Sequence, residues 1–397
     1  MRLVHLSDLH LGYRQYQRLT PTGINQREWD VANTFRQAVD QIIALKPDVV
    51  LVAGDVFHTS RPTNAAILHA FRQFVRLRAA LPDASIVMVA GGHDTPRTTE
   101  SGSIMGLFEQ IGIRVAAHEA KLFPIPEHDL SVLAVPDVPG PMPQLAPDPS
   151  ARHNVLLIHA DVEDVVPRYY AELDRATLRV ARRDLGATQW SYVALGHYHV
   201  HQKVAENAYY SGSLDYTSLN VWYDLSEEED LHLQGKGFVE FDLVTGKHTF
   251  HTVPASRDFI DLKPINARDM SPAEVNAAIQ RAVDKVKGGI DDKVVRLVIR
   301  DISRQVTREL DHRAIRDYKR RALSFHLDAR KPEETRQYAT GSPSRRPSVA
   351  DVVREQLAAR AIPPDLDRER LVELGMKYLA EADAFPVPSV AVTDAES

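Results

Sequence analysis

The chain has no cysteine among its 397 residues. That excludes disulfides and every metal site built on thiolate, so a bound cation would rest on histidine, aspartate, glutamate or asparagine. No uninterrupted apolar stretch approaches the length of a membrane span. The N-terminus enters an apolar strand pattern at once, which leaves no room for a signal peptide and sets the expectation of a cytoplasmic protein. Positive charge is not in excess either: 48 Lys and Arg face 54 Asp and Glu, a net charge of −6. A polyanionic partner would therefore need a local basic surface. The length exceeds what one compact core holds and predicts two or three domains.

What the chain does have is a series of short apolar runs, each ending on aspartate or histidine. In MRLVHLSDLH, Leu3 and Val4 open a strand that stops at Ser7-Asp8-Leu9-His10. Asp8 and His10, two apart, leave an extended backbone on the same face. A carboxylate beside an imidazole is half a site for manganese, iron or zinc. A polar loop follows, then helical spacing at Val31, Phe35, Val39, Ile42 and Ile43 over Trp29 to Leu45, broken by Lys46-Pro47. Val49 to Val52 is all apolar, as in a strand covered on both faces, and ends in Ala53-Gly54-Asp55. A helical stretch from Asn64 to Leu81 leads to Ile86 to Ala90, which closes on Gly91-Gly92-His93-Asp94. The Pro-rich passage Phe123 to Pro149 reads as strand fragments and loop. Asn154 to Ile158 ends on His159-Ala160-Asp161, and Tyr192 to Leu195 on Gly196-His197-Tyr198-His199. In layered α/β proteins, ligands and catalytic groups gather where the carboxyl ends of strands meet. Five such endings in a chain with 17 histidines predict one shared site rather than five solvated turns.

These motifs resemble those of the calcineurin-like metallophosphoesterases. The stretches HLSDLHLGY, AGDVFHTSRP, GHYH and YYSGSLDYTS resemble, more closely, the SbcD-type DNA double-strand-break repair nucleases, relatives of the meiotic-recombination nuclease. The likeness is specific over about residues 1–260 and looser beyond. It implies an α/β fold, a four-layer sandwich of two mixed β-sheets flanked by helices, with a smaller α+β capping domain and C-terminal helices. The implied division is a nuclease domain over 1–257, a DNA-capping domain over 258–327, a linker over 328–347, a helical ATPase-binding segment over 348–385 and a disordered tail over 386–397.

By the same resemblance two divalent ions are implied, Mn²⁺ first and Fe²⁺ or Mg²⁺ as alternatives. Asp8, His10, Asp55 and His199 would hold one ion, and Asp55, His159 and His197 the other, with Asp55 bridging. His93 matches the catalytic histidine, which protonates the leaving group or stabilises charge on the phosphate. Asp94 would orient that imidazole. His58 stands where related nucleases carry a histidine near the scissile phosphate; otherwise it is a plain loop histidine. One position departs from the pattern. The family motif reads Gly-Asn-His, and its Asn gives an amide oxygen to the second ion, but here that position is Gly92. A water fills that place, a neighbouring group swings in, or the second ion binds weakly.

From about Phe259 the composition shifts. DFIDLKPIN reads as a strand, Ser271-Pro272-Ala273-Glu274 as a helix start, Val275 to Val286 as its body and Val294 to Ile299 as a further strand. A short helix is expected over Asp311 to Tyr318. This unit resembles the capping domain, and Arg296, Arg300, Arg304, Arg308, Arg320 and Arg321 form a candidate DNA-binding surface, the alternative being a solvated charged face. Around Ile362-Pro363-Pro364, two amphipathic helices are expected over Ser348 to Arg360 and Asp367 to Ala380. Leu371, Val372, Leu374, Met376 and Leu379 draw the apolar face of the second. In the family such a segment clasps an SbcC-type coiled-coil ATPase; it could equally pack back on its own protein. The family is usually a homodimer, for which Leu68, Phe71, Phe74 and Val75, with Met105, Leu107 and Phe108, are candidates, or else core.

The expected function is a manganese-dependent exo- and endonuclease acting on double-stranded DNA ends and hairpins, near the nucleoid. Two alternatives stay open: a non-catalytic or weakly active end-binding subunit, because of Gly92, and a phosphoesterase for small phosphodiesters.

Overall fold

The computed structural model describes residues 1–96, 102–167, 170, 176–332, 349–360 and 367–383. Residues 1–332 form one compact unit and 333–397 a second.

The first unit begins β1 (Arg2–Leu6), α1 (Gln26–Leu45), β2 (Val49–Ala53), α2 (Asn64–Ala80), β3 (Ser85–Val89) and β4 (Arg114–Ala116). It continues through β5 (Lys121–Ile125), β6 (Leu130–Val135), β7 (His153–His159), β8 (Asp161–Glu163), β9 (Arg179–Ala181), β10 (Tyr192–Gly196), β11 (Gln202–Ala205) and β12 (Ala208–Tyr210). Then come α3 (Val221–Asp230), β13 (Gly237–Asp242) and β14 (His248–Thr252). One sheet has the order β14-β13-β1-β2-β3-β4 and the other β11-β12-β10-β7-β6-β5. Both are mixed: β1 to β4 run parallel and β13 antiparallel, while β6, β7, β10 and β12 run parallel with antiparallel edges.

Side-chain alternation builds the layers. Along β2, Val49, Leu51 and Ala53 fill the space between the sheets, while Val50 and Val52 pack with Phe35, Val39 and Phe74 of the helices. Along β7 and β10, Val155, Leu157, Tyr192 and Ala194 face that same space, and Leu156, Ile158, Val193 and Leu195 face an outer cluster with Trp190. Being covered on both faces explains why these strands read as unbroken apolar runs. It also brings the carboxyl ends of β1, β2, β3, β7 and β10 to one rim.

Local signals set the helix ends. The side chain of Asn25 accepts from Arg27 N and Glu28 N, so α1 starts three residues before the apolar spacing does. It ends at Lys46, in the left-handed region at φ 50°. Between β3 and β4 the chain makes a 3₁₀ segment, Ile104–Ile111. Within it Met105 and Phe108 are core, as is Phe74, so these three dimer candidates are taken up by their own chain. Leu68 and Val75 of α2 stay exposed.

The chain then forms β15 (Phe259–Asn266), α4 (Pro272–Asp284), β16 (Val294–Arg300), α5 (Arg304–Arg308), α6 (His312–Arg321) and β17 (Ser324–Ala329). The three strands are parallel and have a core of their own, including Val275, Ile279, Leu297, Tyr318 and Phe325. Ser271 and Glu274 close a capping box at the start of α4. Arg257 grips Asp30 of α1 through two bonds of 2.8 and 3.0 Å, and Arg18 reaches Asp292 at 2.6 Å and the Arg320 carbonyl at 2.7 Å. These ties set the β-α unit beside the loop that leaves His10. Strand β17 runs to Ala329, two residues into the stretch expected as linker. The rest of that linker from residue 333, the Ile362-Pro363-Pro364 turn and the tail lie outside the described residues.

The second unit shows α7 (Val349–Ala359) and α8 (Arg368–Asp383). They approach closely: a Cβ at Gly375 would overlap Leu357 Cδ1. Among its described residues none is buried, and Val352, Leu374 and Tyr378 are exposed. No helix among the described residues is long and apolar enough to cross a membrane.

Candidate metal centre

Five strand ends meet at this rim, and hydrogen bonds lock their loops together. Asp8 N donates to Gly54 O at 3.0 Å and His10 N to Asp55 O at 2.9 Å, joining the loops after β1 and β2. Asp94 joins the β2 and β3 loops by accepting from Val56 N, Phe57 N and Gly91 N at 3.1, 2.8 and 3.0 Å. Glycine is required where loops nearly touch: a Cβ at Gly91 would overlap the Asp55 carboxylate, and one at Gly196 the Ala53 carbonyl. Asp8, His10, Asp55 and His197 sit at φ 53°, 43°, 49° and 107°. Non-glycine residues are uncommon in that region, and four of the twelve found there among the described residues lie at this rim.

The donor atoms converge. His10 Nε2 and His199 Nε2 are 2.9 Å apart, about what two ligands roughly 2.1 Å from one cation and at right angles leave between them. Asp8 Oδ1 lies 3.9 Å from His199 Nε2. Asp55 Oδ2 stands between His10 Nε2 at 3.8 Å and His159 Nε2 at 3.5 Å. Ligand atoms of Asp8, His10 and His199, and of Asp8, Asp55 and His159, each fall within 4.8 Å of one another. His197 is looser, its ring 5.6 Å from that of His159, while its backbone N–H donates to Asp8 at 3.2 Å. His159 Nδ1–H donates to Ala53 O at 2.8 Å, which leaves Nε2, buried and making no hydrogen bond, as the nitrogen that a cation would take once its proton is displaced. A buried nitrogen of that kind, among imidazoles and carboxylates without sulfur, fits a divalent cation of the Mn²⁺ or Fe²⁺ type.

His93 forms the adjoining wall of a cleft of about 420 Å³ with Asp55, His58, Gly92, Asp137, His159 and His197. Its Nδ1–H donates to the His58 carbonyl at 2.8 Å and its ring stacks on that of His58 at 5.3 Å. The orienting role expected of Asp94 thus falls to the His58 backbone, because the Asp94 carboxylate is spent on three backbone donors.

Residues 1–201 match the family model of the calcineurin-like phosphoesterases. The chain belongs to this family. It is similar to the DNA double-strand break repair protein Mre11 of Methanocaldococcus jannaschii, 28% identical over 251 residues, which cover 61% of this chain and 62% of that protein. Proteins of the same name are 24% identical over 306 residues in Sulfolobus acidocaldarius, covering 75% of this chain and 70% of that protein, and over 312 in Thermoplasma acidophilum, covering 75% and 73%. The chain thus spans somewhat less than two thirds of the M. jannaschii protein it matches.

The phosphoesterase centre also uses residues that no sequence spacing marks. His199 Nδ1–H donates to Ser218 Oγ at 2.9 Å, since Ser218 gives its own proton to Asp224 Oδ2 at 2.7 Å. Lys236 Nζ binds Asp224 at 2.7 Å and Glu228 at 3.0 Å. This relay from α3 fixes the tautomer that turns His199 Nε2 to the site. YYSGSLDYTS carries Ser218 but says nothing of its partners.

Burial raises the Asp8 carboxyl to about 7, with His159 opposing and Asp55 adding. For His159 burial alone would lower the pKa, but Asp55, Asp8 and Asp137 outweigh it and raise it from 6.5 to about 9. His10 is held well below its usual value by burial and then by the neighbouring His199, His93 and His58. Without a cation, the folded protein therefore keeps protons that the unfolded chain loses, at Asp8 between pH 3.8 and about 7 and at His159 between 6.5 and about 9. These two groups make stability fall as pH rises through those windows, while the depressed His10 opposes them below pH 6.5. Cations compete for the same lone pairs, so the rise in Tm on adding Mn²⁺ is expected to grow from pH 6 to pH 9 in thermal melts. An increment that is flat or shrinks with pH would contradict these protonation states.

The six candidate DNA-binding arginines do not form one patch. Arg300, Arg304 and Arg308 are exposed at the carboxyl end of β16 and on α5, with no carboxylate partner among the described residues. Arg296 is paired with Asp261 at 2.9 and 2.5 Å and lies over the Trp222 ring. Arg321 grips Asp291 at 3.0 and 2.9 Å, and Arg320 meets Asp317 at 2.5 Å. Arg321 ends α6 just before β17 begins, at the opposite end of the sheet from 304 and 308, which follow the carboxyl end of β16. Arg296, third of seven residues in β16, lies between, about 13 Å from that end at about 3.3 Å per strand residue.

Proposed function

We propose that this chain is the manganese-dependent nuclease subunit of an SbcCD-type double-strand-break repair complex, hydrolysing phosphodiester bonds at DNA ends and hairpins. The observation that carries this is the convergence of five strand ends, bearing four imidazoles and two carboxylates, on a cleft walled by His93. Asp8, His10, Asp55 and His199 would hold one ion, and Asp55, His159 and His197 the second. The position of Asp55 Oδ2, between His10 and His159, supports its bridging role. Divalent cations held there polarise a phosphodiester and lower the pKa of a bound water.

The remaining roles belong to the protein. His93, with Nδ1 engaged by the His58 carbonyl, delivers a proton from Nε2 to the leaving oxygen. His58, stacked on it, fixes the ring and faces the phosphate. The relay through Ser218, Asp224 and Lys236 holds the His199 tautomer. Arg300, Arg304 and Arg308 are the better candidates for phosphate contacts, because Arg296, Arg320 and Arg321 already neutralise carboxylates. The exposed apolar residues of α7 and α8 suit an SbcC-type ATPase, and Leu68 and Val75 a homodimer contact.

A β-α unit tied to the loop after His10 suits a polymer better than a small ester. With Mn²⁺, bis(p-nitrophenyl) phosphate is expected to turn over slowly, and duplex DNA to inhibit that turnover competitively. Fast ester turnover indifferent to DNA would favour the small-phosphodiester alternative. Gly92 favours a second reading, weak activity from a poorly held second ion.

A further inference from the structure

A sixth strand also delivers an aspartate to this rim. Strand β6 lies parallel to β7, which ends on His159, and runs out through Val135-Pro136 into Asp137. Its backbone is fastened to the β3 loop: Asp137 N donates to Ala90 O at 3.0 Å, and Thr95 Oγ1 to Asp137 O at 3.0 Å. The side chain is 1% exposed and lines the same cleft as Asp55, Gly92, His159 and His197. A Cβ built on Gly92 would fall 2.9 Å from Asp137 Oδ2. That oxygen therefore stands in the volume an asparagine amide at position 92 would enter. The Asp137 charge also acts on His159, whose buried Nε2 makes no hydrogen bond.

We propose that Asp137 replaces the missing asparagine, giving a carboxylate oxygen to the second cation from β6 instead of an amide oxygen from the β3 loop. The inference rests on the two-ion reading above. Asp137 Oδ1 accepts from Leu178 N at 2.6 Å and Oδ2 from Thr177 N at 3.1 Å. A carboxylate has about four lone-pair positions, so these two bonds hold it in place without exhausting it. Gly92 is then a consequence: with a carboxylate present, a side chain at 92 has no room.

Mn²⁺ titration, with free ion read by electron paramagnetic resonance and bound ion by elemental analysis, tests this without any turnover. Wild type is expected to bind two ions. Asp137→Ala should keep one and weaken the other by at least about tenfold. Asp137→Asn, which keeps an oxygen for Leu178 N and spares the fold, should weaken the same ion. Gly92→Asn alone should not strengthen binding, because it crowds Asp137, whereas Gly92→Asn combined with Asp137→Ala should restore the second ion. A role limited to anchoring Thr177 and Leu178 would show no such rescue. Wild-type affinities for both ions in Asp137→Ala or Asp137→Asn would overturn the inference alone. A wild type that binds one ion or none would overturn the two-ion reading, and this inference with it.

Discussion

Replacing His93 by alanine is expected to lower Mn²⁺-dependent DNA cleavage by about 10²–10⁴-fold, the range for losing a positioned general acid. Ion binding should be unchanged. The two effects separate because His93 meets the centre in two ways. Its backbone N–H donates to Asp55 Oδ1 at 2.9 Å and survives the substitution. Its imidazole, held through Nδ1 by His58 O, is lost. The loss should fall on kcat, since in the proposed role the ring acts on the leaving oxygen and not on ground-state binding. Single-turnover cleavage with a parallel ion count checks this. Near-normal turnover, or loss of ions together with activity, would remove His93 from the acid role.

Replacing Arg27 by leucine is expected to destabilise the protein by about 3–5 kcal/mol, the cost of breaking a buried charge pair from one side. Arg27 has no exposed surface, and its guanidinium meets Asp215 Oδ1 at 2.7 Å, the Tyr216 carbonyl at 3.0 Å and Asp30 Oδ2 at 3.2 Å. Asp30 would keep Arg257, but Asp215 would keep only Thr34 Oγ1 at 2.7 Å among side-chain donors. A buried carboxylate so deprived is costly, and domains have only about 5–15 kcal/mol of stability in total. Asp215 and Tyr216 lead directly to Ser218, so the site should loosen as well. Urea unfolding checks this: a change below about 1 kcal/mol would mean that the charges are not buried as described.

Much of the candidate site was legible because the residues that line it terminate strands. Asp8, Asp55, His93, His159 and His197 each follow an apolar run, and such runs with their punctuation survive as a one-dimensional pattern. The same runs called for strands covered on both faces, whereas the two-sheet sandwich was implied by the family resemblance. What stayed hidden depends on contacts between distant segments. Ser218, Asp224 and Lys236 meet only because α3 folds back under His199, and no spacing encodes that. Arg27 reads as part of the polar loop before the helical spacing begins. Asp137 lies in the Pro-rich passage that reads as strand fragments and loop, although the strand before it obeys the same rule as the other five. Asp94 shows the opposite failure: its place beside His93 in sequence suggested contact with the ring, but backbone donors claim its carboxylate. The arginines from 296 to 321 are dense in sequence, yet a strand and two helices carry them to different ends of one sheet.

End-labelled linear duplex and hairpin DNA, incubated with the purified chain in Mn²⁺ or in chelator, tests the central claim most directly. Shortened or opened products are expected with Mn²⁺ and intact DNA with chelator. Intact DNA in Mn²⁺, from protein shown to hold two ions, would contradict that claim.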